Sequence, residues 1–191
     1  MRFYRVFKKF YEQAARKMCL DCEQFIRKKS KILDIGCGSA IIANTFQNFF
    51  DTEVIGVDII DRRIFPIAFS LTDGKKLKFP DNSFDNVLIA YTLHHSQSPV
   101  TLLKEVKRVA KHRIFIYEDL PEDFLSKLIC YVHSFSFDKF FGNKNRTTFK
   151  TENEWLEIFK KLGLNLVYDK HVSLSFGPVK KKLFVLEVLG T

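Results

Sequence analysis

Leu33-Asp34-Ile35-Gly36-Cys37-Gly38-Ser39-Ala40 is the stretch on which the fold turns. Ile32–Ile35 is a short apolar run that stops at a glycine, the pattern of a buried strand running into a tight turn. Gly36 and Gly38 permit backbone conformations and close approaches that a side chain would block, so a ligand can lie against the turn. Residues 40–49 then suit a helix. A Gly-x-Gly pattern alone is weak evidence; strand before and helix after is the context that gives it meaning. Where a third glycine belongs, the chain has Ala40. If that position serves close helix–strand packing, alanine is tolerated.

Downstream, Glu53–Asp58 reads as a second strand ending in an acid 24 residues after Asp34. That is near the spacing of about 20 residues at which a carboxylate meets the hydroxyls of a ribose. Taken alone, Asp58 is as readily a strand-end or capping acid. Residues 59–66, with Asp61, Arg62, Arg63 and Pro66, are too short and broken for a full crossover helix. Strands are expected near 67–71, 86–91 and 113–117, and Pro99 opens a helix running to Lys111. A helical, aromatic-rich segment follows over 121–137, then a basic loop over 142–150. Thr151 and Glu154 form a capping box for a helix that Gly163 ends. Strands near 164–172 and 182–189, joined at Gly177-Pro178, close the chain. Upstream, residues 3–29 read as one amphipathic helix, with Phe3, Phe7, Phe10, Ala14, Met18 and Phe25 or Ile26 near helical spacing. Alternating strands and helices followed by two late strands predict one doubly wound α/β domain over 1–191, with a terminal antiparallel hairpin.

Composition limits the function classes. The chain has 191 residues, 46% apolar and 28% charged, as a globular protein does. No apolar run nears the ~20 residues of a membrane span, and the basic start lacks the apolar core of a signal peptide. Four scattered cysteines do not make a disulfide framework, so a reduced, cytoplasmic setting is expected. Cys19 and Cys22 form one C-x-x-C without a second pair, which reads as packing rather than as a metal site. The net charge of +9 attracts anions such as nucleic acid, acidic headgroups or a charged small molecule, or else serves solubility alone. Phenylalanine is abundant, at 21 residues, often beside Lys or Arg.

These motifs resemble the class I S-adenosylmethionine (SAM)-dependent methyltransferases, and within them the type 11 domain of ubiquinone/menaquinone-biosynthesis-like enzymes. The resemblance runs from about Lys31 to Leu166. Asp34-Ile35-Gly36-Cys37-Gly38 is similar to the first motif, and Gly56-Val57-Asp58 to the second, whose acid binds the SAM ribose. The segment Asp73-Gly74 through Pro80-Asp81-Asn82-Ser83-Phe84-Asp85 resembles one whose first acid sits beside the adenine amino group, a role the resemblance gives to Asp73. Tyr91-Thr92-Leu93-His94-His95 resembles the segment lining the methionine end of SAM; Leu103–Val109 and Glu154–Leu164 resemble the later helices. The implied fold is a Rossmann-like, mostly parallel, seven-stranded sheet. The implied cofactor is SAM, held by Asp34, Gly36, Cys37, Gly38, Asp58, Ile59, Asp73, Gly74 and Tyr91. A dinucleotide oxidoreductase would use the same turn, but not the segment around Asp73 and Phe84-Asp85.

Candidate bases for methyl transfer belong at the carboxyl ends of the strands, where open α/β sheets bind ligands. His94 and His95 follow the fourth strand and titrate in the right range. Glu118 and Asp119 follow the fifth; Glu118, His133 and Tyr11 are the acceptor-side candidates, with Tyr4 also within reach. Either histidine is also readable as a helix start or a backbone partner. No Asn/Asp-Pro-Pro-Tyr/Phe segment follows strand four and no Pro-Cys pair occurs. This argues against exocyclic adenine amines, glutamine amides and 5-methylcytosine as targets. The Phe-rich 121–141 stretch suggests an apolar cover, within a cover segment spanning 119–150, and hence a small-molecule, lipid-like acceptor. An RNA methyltransferase and a non-catalytic SAM-binding protein are the alternatives. The 1–29 segment is expected to be a lid rather than an interfacial anchor. RNA or an anionic membrane surface are the open partners, and no stable protein partner is expected.

Overall fold

Apolar runs and amphipathic stripes resolve into three layers in a computed structural model, which describes residues 7–141, 147–172 and 179–188, with the side chains of 133–141 outside that description. The elements are α1 (Lys8–Cys22), β1 (Lys31–Ile35), α2 (Ile41–Phe50), β2 (Glu53–Asp58), β3 (Ala68–Leu71), β4 (Phe84–Ala90), α3 (Pro99–Val109), β5 (Ala110–Leu120), α4 (Phe124–Phe141), α5 (Glu152–Lys161), β6 (Leu164–His171) and β7 (Lys180–Val188). The strands form one seven-stranded sheet in the order β3-β2-β1-β4-β5-β7-β6. β1 through β5 pair parallel, while β7 runs antiparallel to both β5 and β6. The expected doubly wound sheet with antiparallel terminal strands is the fold observed.

Strand alternation divides the core. In β5, Ile114 and Ile116 face one cluster with Leu103 and Val106 of α3 and Trp155 and Phe159 of α5. Phe115 and Tyr117 face the other, with Met18, Cys19 and Cys22 of α1 and Phe46 of α2. A strand buried on both faces must be apolar at every position, which is why these segments read as continuous runs. The capping box is present: Thr151 accepts from Glu154 N, and the Glu154 side chain accepts from Thr151 N.

Four expectations are corrected in detail. The N-terminal helix stops at Cys22, because residues 23–25 turn so that Phe25 packs on Tyr168 at 5.2 Å and Phe115 at 6.3 Å; its start at residue 3, like Tyr4, lies outside the described residues. β5 extends over Ala110–Leu120, since β7 pairs with it as far as Leu120↔Lys180. The aromatic segment is helical over Phe124–Phe141 rather than from Pro121, with Asp123 Oδ1 accepting from Ser126 N at 2.7 Å to start it. Ala40 does more than allow close packing: its backbone is left-handed, at φ +63°. Alanine adopts that conformation at a cost of roughly 1–2 kcal/mol. The turn at Gly177-Pro178 lies outside the described residues.

Candidate active site

The glycine turn is built from backbone. Gly36 N and Cys37 N both donate to Val57 O, at 2.8 and 3.1 Å, tying the end of β1 to the end of β2. Gly36 has φ +71°, and a Cβ there would lie 2.4 Å from the Thr92 side chain, so both conformation and space require glycine. Gly38 has φ +50°, and a Cβ on it would meet only Gly36 O, at 4.0 Å. Gly38 N donates to Asp58 Oδ2 at 2.9 Å, and Ile59 N donates to Asp58 Oδ1 at 2.7 Å. The Asp58 carboxylate is thereby oriented, with acceptor capacity left for hydroxyls.

The turn opens into a cavity of about 970 Å³. Gly36, Cys37, Gly38, Asp58, Ile59, Asp73, Gly74 and Tyr91 line it, as do His94, His95 and Tyr11. Asp73 is held by its own loop: Oδ1 accepts from Lys75 N at 2.8 Å and Lys76 N at 2.9 Å, and these bonds lower its pKa. The connection from β2 to β3 carries no helix; Asp61 and Arg63 pair within it at 2.8 Å.

Asp34 does not line the cavity. It is buried beneath the turn, and desolvation, with the nearby Asp58 charge, pushes its carboxyl up to about 7. Glu118 does not line the cavity either, although it was expected on the acceptor side. It is wholly buried behind His94. Its Oε1 accepts from Leu93 N at 2.9 Å, and its Oε2 lies 2.6 Å from His94 Nδ1. Burial pushes the His94 imidazole down, but the charge of Glu118 and the hydrogen bond to it outweigh this, so its pKa is raised. The His94 ring stacks on Phe149 at 4.8 Å, and Thr148 N donates to His94 O at 2.8 Å. The two histidines are therefore unequal: His94 is buried and held on three sides, whereas His95 is partly exposed at the cavity.

The Tyr91 hydroxyl is buried with no hydrogen-bond partner among the described residues, and burial, with the Asp119, Glu118 and Asp21 charges, pushes its pKa well up. Lys181 Nζ lies 4.7 Å from the centre of the Tyr91 ring and pairs with Asp119 across the β5–β7 ladder. Sequence reading missed Lys181 and Phe149, which reach the cavity from distant segments without a motif of their own. Ile129 and Cys130 of α4 complete the far wall. The His133 side chain lies outside the described residues. Cys19 and Cys22 are core residues, and the Tyr117 hydroxyl donates to Met18 O at 3.2 Å between them and the sheet. Among the described residues no helix is long and apolar enough to cross a membrane.

The cradle fits SAM: a turn whose glycines carry no side chains, an oriented carboxylate at the end of β2, and a second acid, Asp73, lining the same cavity. Residues 33–116 match the family model described as methyltransferase domain. The chain is 36% identical over 107 residues to an uncharacterized methyltransferase of Schizosaccharomyces pombe, covering 46% of this chain and 38% of that protein. It is 31% identical over 116 residues to the sterol 24-C-methyltransferase erg6 of Aspergillus fumigatus, covering 53% and 31%. The match thus spans under two fifths of either relative. Among solved structures, a Haloferax volcanii methyltransferase in complex with the Trm112 activator superimposes with a TM-score of 0.73 at 16% identity, covering 98% of this chain and 93% of that one. Motif order, sheet order and cradle geometry coincide with that match: residues 33–116 carry a methyltransferase domain.

Proposed function

We propose that this protein transfers the methyl group of SAM to a small, apolar, lipid-like acceptor. One observation carries the reading: a single cavity joins the glycine cradle and Asp58 to His94 and the apolar wall of Ile129, Cys130 and Phe149. SAM supplies a methyl group already activated on a sulfonium. The Gly36–Gly38 turn and Asp58 hold the cofactor's polar parts, Asp73 and Gly74 flank its adenine, and Tyr91 stands at the methionine end. His94, held at Nδ1 by Glu118, presents Nε2 as the base that takes the acceptor proton. Glu118 acts through His94 as a positioning residue. α1 serves as part of the cover: its C-terminal half is anchored in the core, and Tyr11 reaches the cavity. That the relative erg6 is named for a sterol acceptor supports the lipid-like class.

The alternative is RNA methylation, favoured by the net charge of +9. Incubating the protein with labelled SAM, a lipid and metabolite extract, and total RNA separates the two. Label in a small organic-soluble product is expected; label only in RNA overturns the acceptor class. SAM binding with no transfer to any fraction would favour a non-catalytic binding protein.

A further inference from the structure

The first half of α4 leaves its apolar side chains in solvent. Phe124 is 83% exposed, Val132 60% and Leu125 59%, and Leu128 and Tyr131 are about half exposed. At 100° per residue these positions cover an arc of roughly 120°. The opposite side, at Ser126 and Cys130, is buried. Contiguous apolar exposure of this kind marks a docking surface rather than ordinary scatter. The surface adjoins the cavity, since Ile129 and Cys130 on the same helix line it. Phe10 of α1, 50% exposed, lines it too.

Charge favours one occupant. The two acids at the start of α4 are engaged: Glu122 pairs with Lys180 at 2.7 Å, and Asp123 accepts from Ser126 N. Lys127 on α4 and Lys9 beside Phe10 are exposed, in a chain of net charge +9. Apolar side chains flanked by lysines match the boundary between anionic headgroups and acyl chains. We propose that α4, with Phe10, docks the protein on an anionic lipid surface, so that an acceptor moves from the bilayer into the cavity without crossing water. This rests on the lipid-like acceptor proposed above.

Co-sedimentation tests it, using phosphatidylcholine vesicles and the same vesicles with about 30% phosphatidylglycerol. The full chain is compared with a Phe124→Ser/Leu125→Ser/Leu128→Ser variant. None of the three lines the cavity, so calorimetric SAM binding and thermal melting of the variant report that the fold and cradle are intact. Expected is binding to the anionic vesicles at least about tenfold stronger than to the neutral ones, and a loss of about tenfold or more in the variant. No vesicle binding, or equal binding by the variant, overturns the proposal. A dimer by sedimentation velocity that the same substitutions dissociate, without vesicle binding, overturns it in favour of a second copy as occupant. Vesicle binding by a protein that transfers no methyl group to lipid leaves the surface standing and removes the acceptor reading, so the two fail separately.

Discussion

At the scale of single residues, the site sets a small number of strained or buried groups against one another. Gly36 combines a left-handed backbone with a clash that any Cβ would make against Thr92. Gly36→Ala is expected to lose at least roughly 1–2 kcal/mol, a fall in melting temperature of about 2–8 °C, together with SAM affinity; denaturation and calorimetry read both. The His94–Glu118 pair predicts a pH profile. Because the folded pKa of His94 is raised, its base form appears only above the ordinary histidine value, and kcat/KM should climb with pH through that raised inflection. Glu118→Gln keeps an acceptor for Leu93 N but removes the charge, so the inflection should move to lower pH; an unmoved profile would exclude His94 as the base. The stability that this pair contributes is full below the unfolded pKa of about 6.5 and is lost as pH rises through the folded value. Asp34 is expected to act in the same direction for the opposite reason. It ionises near 4 when unfolded and at about 7 when folded. Between those values the folded state binds more protons, and stability falls as pH rises. Melting of Asp34→Asn should therefore depend less on pH between about 4 and 7 than the parent's does.

At the scale of elements, α1 and α4 meet the same cavity on different terms. Met18, Cys19 and Cys22 of α1 are buried against Tyr117 and the sheet, and each large apolar side chain so placed contributes on the order of 1.5–3 kcal/mol. Removing the N-terminal segment would therefore damage the core, and lost activity would not by itself demonstrate a cover. Tyr11→Ala is the cleaner test, since Tyr11 lines the cavity while the anchoring residues stay in place. A drop in transfer on the order of tenfold with unchanged melting is expected from a cover that excludes water; full activity would assign α1 to the scaffold alone. α4 contributes little to the core in its first turns, with Ser126 and Cys130 as its buried contacts. Such an element can serve an interface at small cost to the fold.

At the scale of the whole molecule, the net charge of +9 makes association with anions depend on salt, because screening shortens from about 10 Å at 0.1 M to about 3 Å at 1 M. Transfer to a dissolved short-chain acceptor should change little with salt. Transfer to the same chemistry presented in anionic vesicles should fall several-fold between about 0.05 and 0.5 M. Equal salt responses from the two presentations would mean that the charge plays no part in acceptor delivery.

The glycine turn, the second strand ending in Asp58, the capping box at Thr151 and Glu154, and the seven strands were all legible in the sequence. Each is a local matter: a buried strand must be apolar at successive positions, a positive φ favours glycine, and a helix start needs an acceptor for its free N–H groups. The choice between His94 and His95 was not legible, because both have the same neighbours in the chain. Glu118, 24 residues on, fixes the ring of His94 at Nδ1, while both histidines line the cavity. The same holds for Lys181 against Asp119, for Phe149 on His94, and for the insertion of β7 between β5 and β6. Side-chain periodicity says which faces of a strand are apolar but not which strand will lie beside it. The exposure of α4 was hidden for a related reason: an apolar stripe is written identically for a core and for a docking surface, and only the packed sheet and helices decide which of the two it becomes.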